Sequence, residues 1–193
     1  MKTGYLKMIL MSMCLLLLMI CIHIGITNPL DSFVYHFLDT TIQNYGLIIY
    51  LEVISVVFAP INCLFMILVI LSVLYFYNPF KFWWYGWWSF SVLLIGTLFK
   101  YIIQRTRPDM SIDGYSFPSM HVLSVCLLVC LILLLNNSKS LAIISMLLVI
   151  SVMISRIYLQ AHYFTDTVGS LFVMGTMLQA IQLGQCSSVI HQR

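Results

Sequence analysis

Three short clusters of polar residues interrupt an otherwise apolar chain of 193 residues. They are KYIIQRTRP (100–108), FPSMH (117–121) and SRIYLQAHYFTD (155–166). The side chains suited to chemistry in them are three cations, two histidines, a serine and a carboxylate: Lys100, Arg107, Arg156, His121, His162, Ser119 and Asp166. Such a set suits phosphoryl transfer, because cations hold an oxyanion while imidazoles attack phosphorus or move protons.

The spacing of His162 and Asp166 favours a nucleophile and its orienting partner. Residues four apart lie on one face of a helix, about 6 Å apart along its axis. We expect Asp166 to accept a hydrogen bond from the protonated ring nitrogen, which leaves the other nitrogen free to attack. His121 has no such acidic partner in the sequence and suits the role of general acid. The ordinary alternative is that both histidines are interface residues and that Asp166 caps the following helix.

Phosphate binding is expected where Pro118 and Ser119 open a helix, because free N–H groups and the helix dipole favour an anion there. The Ser119 hydroxyl adds a donor, or serves only as an N-cap. Cations near the ends of apolar segments are costly unless they meet an anion, as we expect for Lys100 and Arg156. Arg105 is expected to meet lipid headgroups and is given no catalytic part.

The elements that position these clusters must be membrane helices. The chain is 62% hydrophobic and 8% charged, whereas soluble domains carry about 25% charged residues. The net charge of +3 is too small for a nucleic-acid-binding face. We predict an all-α, polytopic bundle of six transmembrane helices that forms a single domain over residues 1–193. The candidate spans are 8–27, 48–76, 83–103, 118–135, 141–158 and 166–184.

Several other segments have expected structural roles. The first span is expected to be retained rather than cleaved as a signal peptide, and the overlong second span to tilt or kink at Pro60. Apolar residues between Leu30 and Tyr45 recur with helical spacing and predict a short amphipathic surface helix. It either covers the bundle or borders a lipid entrance. The segment KFWWYGWW (81–88) predicts an aromatic belt at a membrane boundary.

Remaining polar residues carry weaker expectations. Glu52 either acts at the phosphate site, by pairing with a basic residue or steering a headgroup, or pairs structurally within the bundle. The cysteines within apolar runs are interpreted as packing residues, and no metal or cofactor is expected.

The charge distribution predicts that both termini are cytoplasmic. One side of the six-span layout carries basic residues without acids: Lys2, Lys7, Lys81, Lys139 and Arg193. The positive-inside rule places that side in the cytoplasm by a narrow margin. The three polar clusters then face outward from the cell membrane.

These motifs resemble those of the type 2 phosphatidic acid phosphatase superfamily, which groups lipid phosphatases with vanadium haloperoxidases. The family pattern is Lys-x6-Arg-Pro, Pro-Ser-Gly-His and Ser-Arg-x5-His-x3-Asp. The chain reads Lys100-x6-Arg107-Pro108, Pro118-Ser119-Met120-His121 and Ser155-Arg156-x5-His162-x3-Asp166. The resemblance implies that phosphate is held by Lys100, Arg107, Ser119, Met120 and Arg156. It implies a phosphohistidine at His162, oriented by Asp166, with His121 as the acid and no metal.

The resulting hypothesis is metal-independent hydrolysis of a lipid phosphate or pyrophosphate at the outer membrane face. Phosphatidylglycerophosphate, phosphatidic acid and undecaprenyl pyrophosphate are the substrates that the resemblance implies. Met120 replaces the family glycine, which leaves open a phosphotransferase that uses the same site. A non-catalytic carrier of anionic lipids would explain the cations but not the spacing of His162 and Asp166.

Overall fold

The structure, a computed structural model, describes residues 2–191 and the side chains of residues 3–184. Two of the basic residues that predict the membrane orientation lie outside the described atoms, namely the side chain of Lys2 and all of Arg193. Its helices are α1 (Lys2–Ile24), α2 (Asn28–Tyr45), α3 (Ile48–Val57), α4 (Pro60–Tyr77), α5 (Pro79–Ile103), α6 (Met120–Leu135), α7 (Lys139–Tyr158) and α8 (Phe164–His191). The described residues contain helices and no strand, and the predicted all-α fold is confirmed.

Six helices carry the chain across the bundle. Five of them, α1, α4, α5, α7 and α8, are long and apolar enough to span a membrane. The sixth, α6, has 16 residues, which are apolar except for His121 and Ser124. It must also cross, because it leads from the loop after α5 to the start of α7, at opposite ends of the bundle. A Cβ placed on Gly4 of α1 would meet the Leu183 side chain of α8, and a Cβ placed on Gly175 of α8 would meet Met11 of α1. These two helices therefore run antiparallel, and the chain begins and ends at one end of the bundle.

The second candidate span, 48–76, is wrong in its first third. The chain breaks after Val57, and Pro60–Tyr77 alone is long enough to cross. Pro60 explains the break, since proline disfavours a helical conformation in the preceding residue, and Ala59 is extended at ψ 148°. Residues 48–57 instead form the separate helix α3, which lies at an angle of 112° to α2. Both helices therefore lie at the end of the bundle where α1 finishes and α4 begins.

A single residue joins α4 to α5. The Asn78 N–H donates to the Leu74 carbonyl at 2.8 Å and ends α4. Its side-chain oxygen accepts the Lys81 N–H at 3.0 Å and caps α5. Pro79 occupies the first turn of α5, where its missing N–H costs nothing. The tight connection fixes α4 and α5 as an antiparallel pair.

The core is built around α6. Nine of its residues are buried, on all sides of the helix, as expected for a helix that is apolar all round. It packs against α4, α5, α7 and α8. Because Met120 and His121 begin this central helix, they lie at the point where the surrounding helices converge.

The amphipathic helix α2 directs its apolar side away from the protein. Phe33 and Phe37 are 69% and 62% exposed, whereas Asp31 is 3% exposed. This polarity suits a helix that presents its apolar face to lipid and its carboxylate to the bundle. Of the aromatic belt, Trp83 and Trp87 are exposed and Trp88 is buried.

Candidate active site

His162 lies in the short loop between α7 and α8 and is 2% exposed. Its Nδ1 is 2.8 Å from the carbonyl oxygen of Ser116. A carbonyl can only accept, so Nδ1 carries the proton and Nε2 keeps its lone pair. Asp166 Oδ2 lies 3.8 Å from the same nitrogen, beyond hydrogen-bonding distance. The sequence predicted a direct bond to Asp166, but the closer acceptor is a backbone oxygen from another loop.

The carboxylate of Asp166 is completely buried and has other partners. Oδ1 accepts Nη1–H of Arg105 at 2.8 Å, and Oδ2 accepts the Tyr163 N–H at 2.9 Å. The second bond holds the loop that precedes α8. Asp166 therefore acts on His162 mainly through its nearby negative charge.

Arg105 lies buried beside Asp166, and the expectation that it meets lipid headgroups is wrong. Its side chain is 9% exposed. One guanidinium nitrogen contacts Asp166, the other contacts Asp31 of α2 at 2.7 Å, and the guanidinium stacks over the Tyr163 ring at 3.9 Å. An arginine fork suits such bridging of two carboxylates.

Lys100 and Arg107 donate hydrogen bonds to backbone carbonyl oxygens rather than to carboxylates. Lys100 Nζ donates to the Tyr115 carbonyl at 2.7 Å. Arg107 donates to the carbonyls of Gly114 and Ala161 at 3.2 and 3.0 Å. Burial lowers the pKa of Arg107, although the negative charge of Asp166 acts in the opposite direction. Within the described residues neither cation is in an ion pair, so both charges are available to an anion.

Arg156 extends from the end of α7 towards the same region. Its Nη1 donates to the Ser55 hydroxyl of α3 at 2.6 Å, while its Nε is buried without a hydrogen-bond partner. The preceding Ser155 donates to the Leu51 carbonyl of α3 at 2.7 Å. Helix α3 thus fixes the end of α7, and the unpartnered Nε–H remains available to a ligand. Glu52 lies exposed between these two contacts of α3.

The start of α6 offers further donors. Ser119 is fully buried, and its hydroxyl has no partner. The N–H groups in the first turn of a helix have no acceptor within the helix, which here concerns the amides beginning at Met120. The Met120 side chain points to α5, where its sulfur would lie 3.3 Å from a Cβ placed on Gly96. The bulky substitute for the family glycine therefore packs into the bundle.

The two histidines belong to one cluster. His121 is half-buried at the start of α6. It lies close enough to His162 and to three cations, Lys100, Arg107 and Arg156, for their charges to act on it. The same holds for His162 with respect to Lys100 and Arg107. The three polar clusters, 100–108, 117–121 and 155–166, thus converge at one end of the bundle.

Two cavities border the site. One of about 290 Å³ separates α2 from the His162 loop and is lined by Asp31, Tyr35, His36 and Gln160. It touches His162 but none of the three cations. The other, of about 330 Å³, is apolar and lies between α4, α5 and α6, with Met120 in its wall.

The fold and site together define a polytopic helical membrane protein with uncompensated cations and two histidines at one end of the bundle. The chain belongs to the PAP2 superfamily, whose family model matches residues 81–184, more than half of its length. This confirms the resemblance found in its motifs. The structure is similar to the crystal structure of the first transmembrane PAP2 type phosphatidylglycerolphosphate phosphatase from Bacillus subtilis. The TM-score is 0.78 at 23% identity, over 95% of this chain and 97% of that chain. No curated protein sequence matches this chain.

Proposed function

We propose that this protein hydrolyses a lipid phosphate through a phosphohistidine formed at His162. The observation that carries the proposal is the cluster of cations without carboxylate partners beside an imidazole whose Nδ1–H is already committed. Phosphate would supply the missing negative charge, and Nε2 is the nitrogen left to attack. The unpartnered hydroxyl of Ser119 and Nε–H of Arg156 support an oxyanion as the missing ligand.

The first step forms one bond to phosphorus and breaks another. Nε2 of His162 attacks phosphorus, and the bond from phosphorus to the leaving oxygen breaks. His121 donates its proton to that oxygen, which departs as the dephosphorylated lipid alcohol, or as a lipid monophosphate when the substrate is a pyrophosphate. Lys100, Arg107 and Arg156 offset the charge on the phosphoryl oxygens.

The second step releases phosphate. His121, now neutral, takes a proton from water, and the water oxygen attacks phosphorus as the P–N bond breaks. His162 returns to its neutral form with the proton still on Nδ1, and His121 regains the proton that it gave up. One water is consumed for each phosphate released.

The apolar cavity beside Met120 supports a lipid as the substrate. It lies between α4, α5 and α6, directly next to the start of the helix that would bind phosphate. A tail between these helices would place its phosphate at the cations. Phosphatidylglycerophosphate, phosphatidic acid and undecaprenyl pyrophosphate all satisfy this arrangement. The distribution of basic residues favours an outward-facing site in the cell membrane.

The test uses purified protein in detergent with EDTA and a panel of these three lipids. We expect inorganic phosphate from at least one of them, and a loss of about 10³-fold or more for His162→Ala, because the nucleophile is removed. His23→Ala is the matched control, since His23 is exposed on α1.

Two results would contradict the proposal. Full activity of His162→Ala would exclude this nucleophile. A phosphorylated alcohol in place of free phosphate, when glycerol is added, would make the protein a phosphotransferase.

A further inference from the structure

A buried cluster of charges connects the surface helix α2 to the nucleophile. Arg105 lies between Asp31 and Asp166, at 2.7 and 2.8 Å. Both carboxylates are at most 3% exposed. The three residues come from α2, the loop after α5 and α8, so the cluster joins segments that are distant in sequence.

Asp31 also holds the first turn of α8 directly. Its Oδ1 accepts the Thr165 N–H at 2.9 Å, and its Oδ2 accepts the Thr165 hydroxyl at 2.9 Å. Nη1 of Arg105 contacts the same hydroxyl oxygen at 2.7 Å. Every polar atom of the Asp31 carboxylate therefore engages either Arg105 or the helix that carries Asp166.

The backbone of Arg105 leads to His162 by a second route. The Arg105 carbonyl accepts the Ser116 N–H at 2.8 Å, and the Ser116 carbonyl accepts Nδ1–H of His162. The side chain of Arg105 fixes the charge near the imidazole, and its backbone fixes the acceptor that sets the tautomer.

We infer that Asp31 and Arg105 are positioning residues for the reaction, and that catalysis requires the Asp31 carboxylate of α2 to be held in this cluster, where its charge acts on His162. The inference rests on the proposed phosphohistidine function. It goes further because it assigns a role to a helix outside the residues matched by the family, 81–184.

The physical reason is the charge of the cluster. Two carboxylates and one guanidinium leave a net charge of −1 close to His162. When Nε2 bonds to phosphorus the imidazole becomes cationic, and a buried negative charge stabilises that cation. Without Asp31, Arg105 would neutralise Asp166 completely, and the cationic ring would lose this support.

Other groups also face His162, and they remain unchanged in the test. They are His36 of α2, Lys100 of α5, Arg107 and Arg105 of the following loop, His121 of α6 with its neighbour Arg156 of α7, and Asp166 of α8. Because the cations among them are fixed, removing one carboxylate shifts the local potential in one direction only.

The test is Asp31→Asn, with turnover counted per folded molecule and the titration of His162 followed by ¹⁵N NMR. We expect kcat to fall about tenfold or more with little change in KM, and His162 to titrate at a lower pH than in the unchanged protein. A purely structural role gives the opposite shift, since a loosened α2 would admit water and move the pKa of His162 up towards 6.5.

Two controls separate charge from docking. Asp39→Asn removes the same charge from α2 at a residue whose side chain contacts Gln43 near the surface. Tyr35→Phe removes the contact between the Tyr35 hydroxyl and the Gln160 amide, a second attachment of α2 to the His162 loop, without changing any charge. Both should leave the His162 titration where it is.

The inference is overturned if Asp31→Asn keeps kcat within twofold, or if its His162 titrates at the same or a higher pH. Should Asp31→Asn not fold, Arg105→Lys takes its place, because lysine keeps the charge but cannot bridge both carboxylates in fork geometry. An unchanged kcat in that variant also overturns the inference. If the unchanged protein releases no phosphate, the proposed function fails, and the NMR measurement still tests the charge effect.

Discussion

At the scale of the residue, the central feature is a histidine whose tautomer is set by a backbone carbonyl. The motif suggests that Asp166 accepts the hydrogen bond from Nδ1–H, but Asp166 is held by Arg105 and the Tyr163 amide. The Ser116 carbonyl takes the position nearest to Nδ1. The Asp166 carboxylate therefore supplies negative charge near the imidazole, and the Ser116 carbonyl orients the ring and sets its tautomer.

The protonation of His162 can be predicted from its burial. Burial lowers the pKa of His162 to about 4, while the nearby negative charge of Asp166 acts in the opposite direction. Attack requires the neutral imidazole, so the lowered pKa extends the reactive form below the ordinary value of about 6.5. In the ligand-free protein we expect one histidine to titrate near pH 4 in ¹⁵N NMR spectra.

That signal must disappear in His162→Gln, which identifies the residue. A His162 signal that titrates between pH 6 and 7 would show that the ring is hydrated, and the account of its burial would be wrong. Added inorganic phosphate should move the titration upward, because a bound anion stabilises the imidazolium form.

At the scale of the element, glycines set how closely the helices approach the site. Gly169 of α8 lies against the ring of Phe117, and a Cβ there would be 2.3 Å from it. Phe117 is completely buried, so its ring has no free space to move into. It lies between Ser116, the acceptor of His162, and Ser119, the cap of α6. The packing of α8 therefore fixes the loop that orients the nucleophile.

Gly169→Ala should impair both stability and turnover. Overpacking a buried contact costs about 1–3 kcal/mol, and we expect a lower unfolding midpoint in detergent together with a reduced kcat. The matched control is Gly86→Ala on α5, where a Cβ meets nothing within 4 Å. There alanine should be neutral or stabilising by up to about 1 kcal/mol. Equal effects of the two substitutions would refute this packing argument.

At the scale of the whole molecule, six crossings place the loop 104–119 and the connection 136–138 at opposite ends of the bundle. The first carries part of the site, and the second joins α6 to α7. The charge distribution favours the site end as the outer one. Substrate from the outer leaflet would then reach the cations without crossing the bilayer.

Cysteine labelling of intact cells tests this orientation. In a cysteine-less background, Met110→Cys should react with a membrane-impermeant maleimide, because Met110 is 89% exposed in the site-side loop. Asn137→Cys, exposed in the opposite connection, should react only after the membrane is permeabilised. The reverse pattern would place the site on the cytoplasmic side.

The sequence by itself determined the helical membrane fold and the chemistry-bearing clusters. Composition and the length of apolar runs are local properties, and helical spacing fixes which residues share a face. A kink at Pro60 was one of the two expectations for the second span, since proline acts on its own neighbours. The length of the second span could not be predicted, because α3 and α4 are equally apolar and only the break between Val57 and Pro60 separates them.

The tertiary structure alone decided which groups surround His162. Arg105 meets residues 74 and 61 positions away in the chain, and no local pattern marks such partners. Asp31 appeared in the sequence as one carboxylate on an amphipathic helix. The Ser116 carbonyl could not be recognised at all, because every residue carries a carbonyl group and only packing determines which one faces an imidazole.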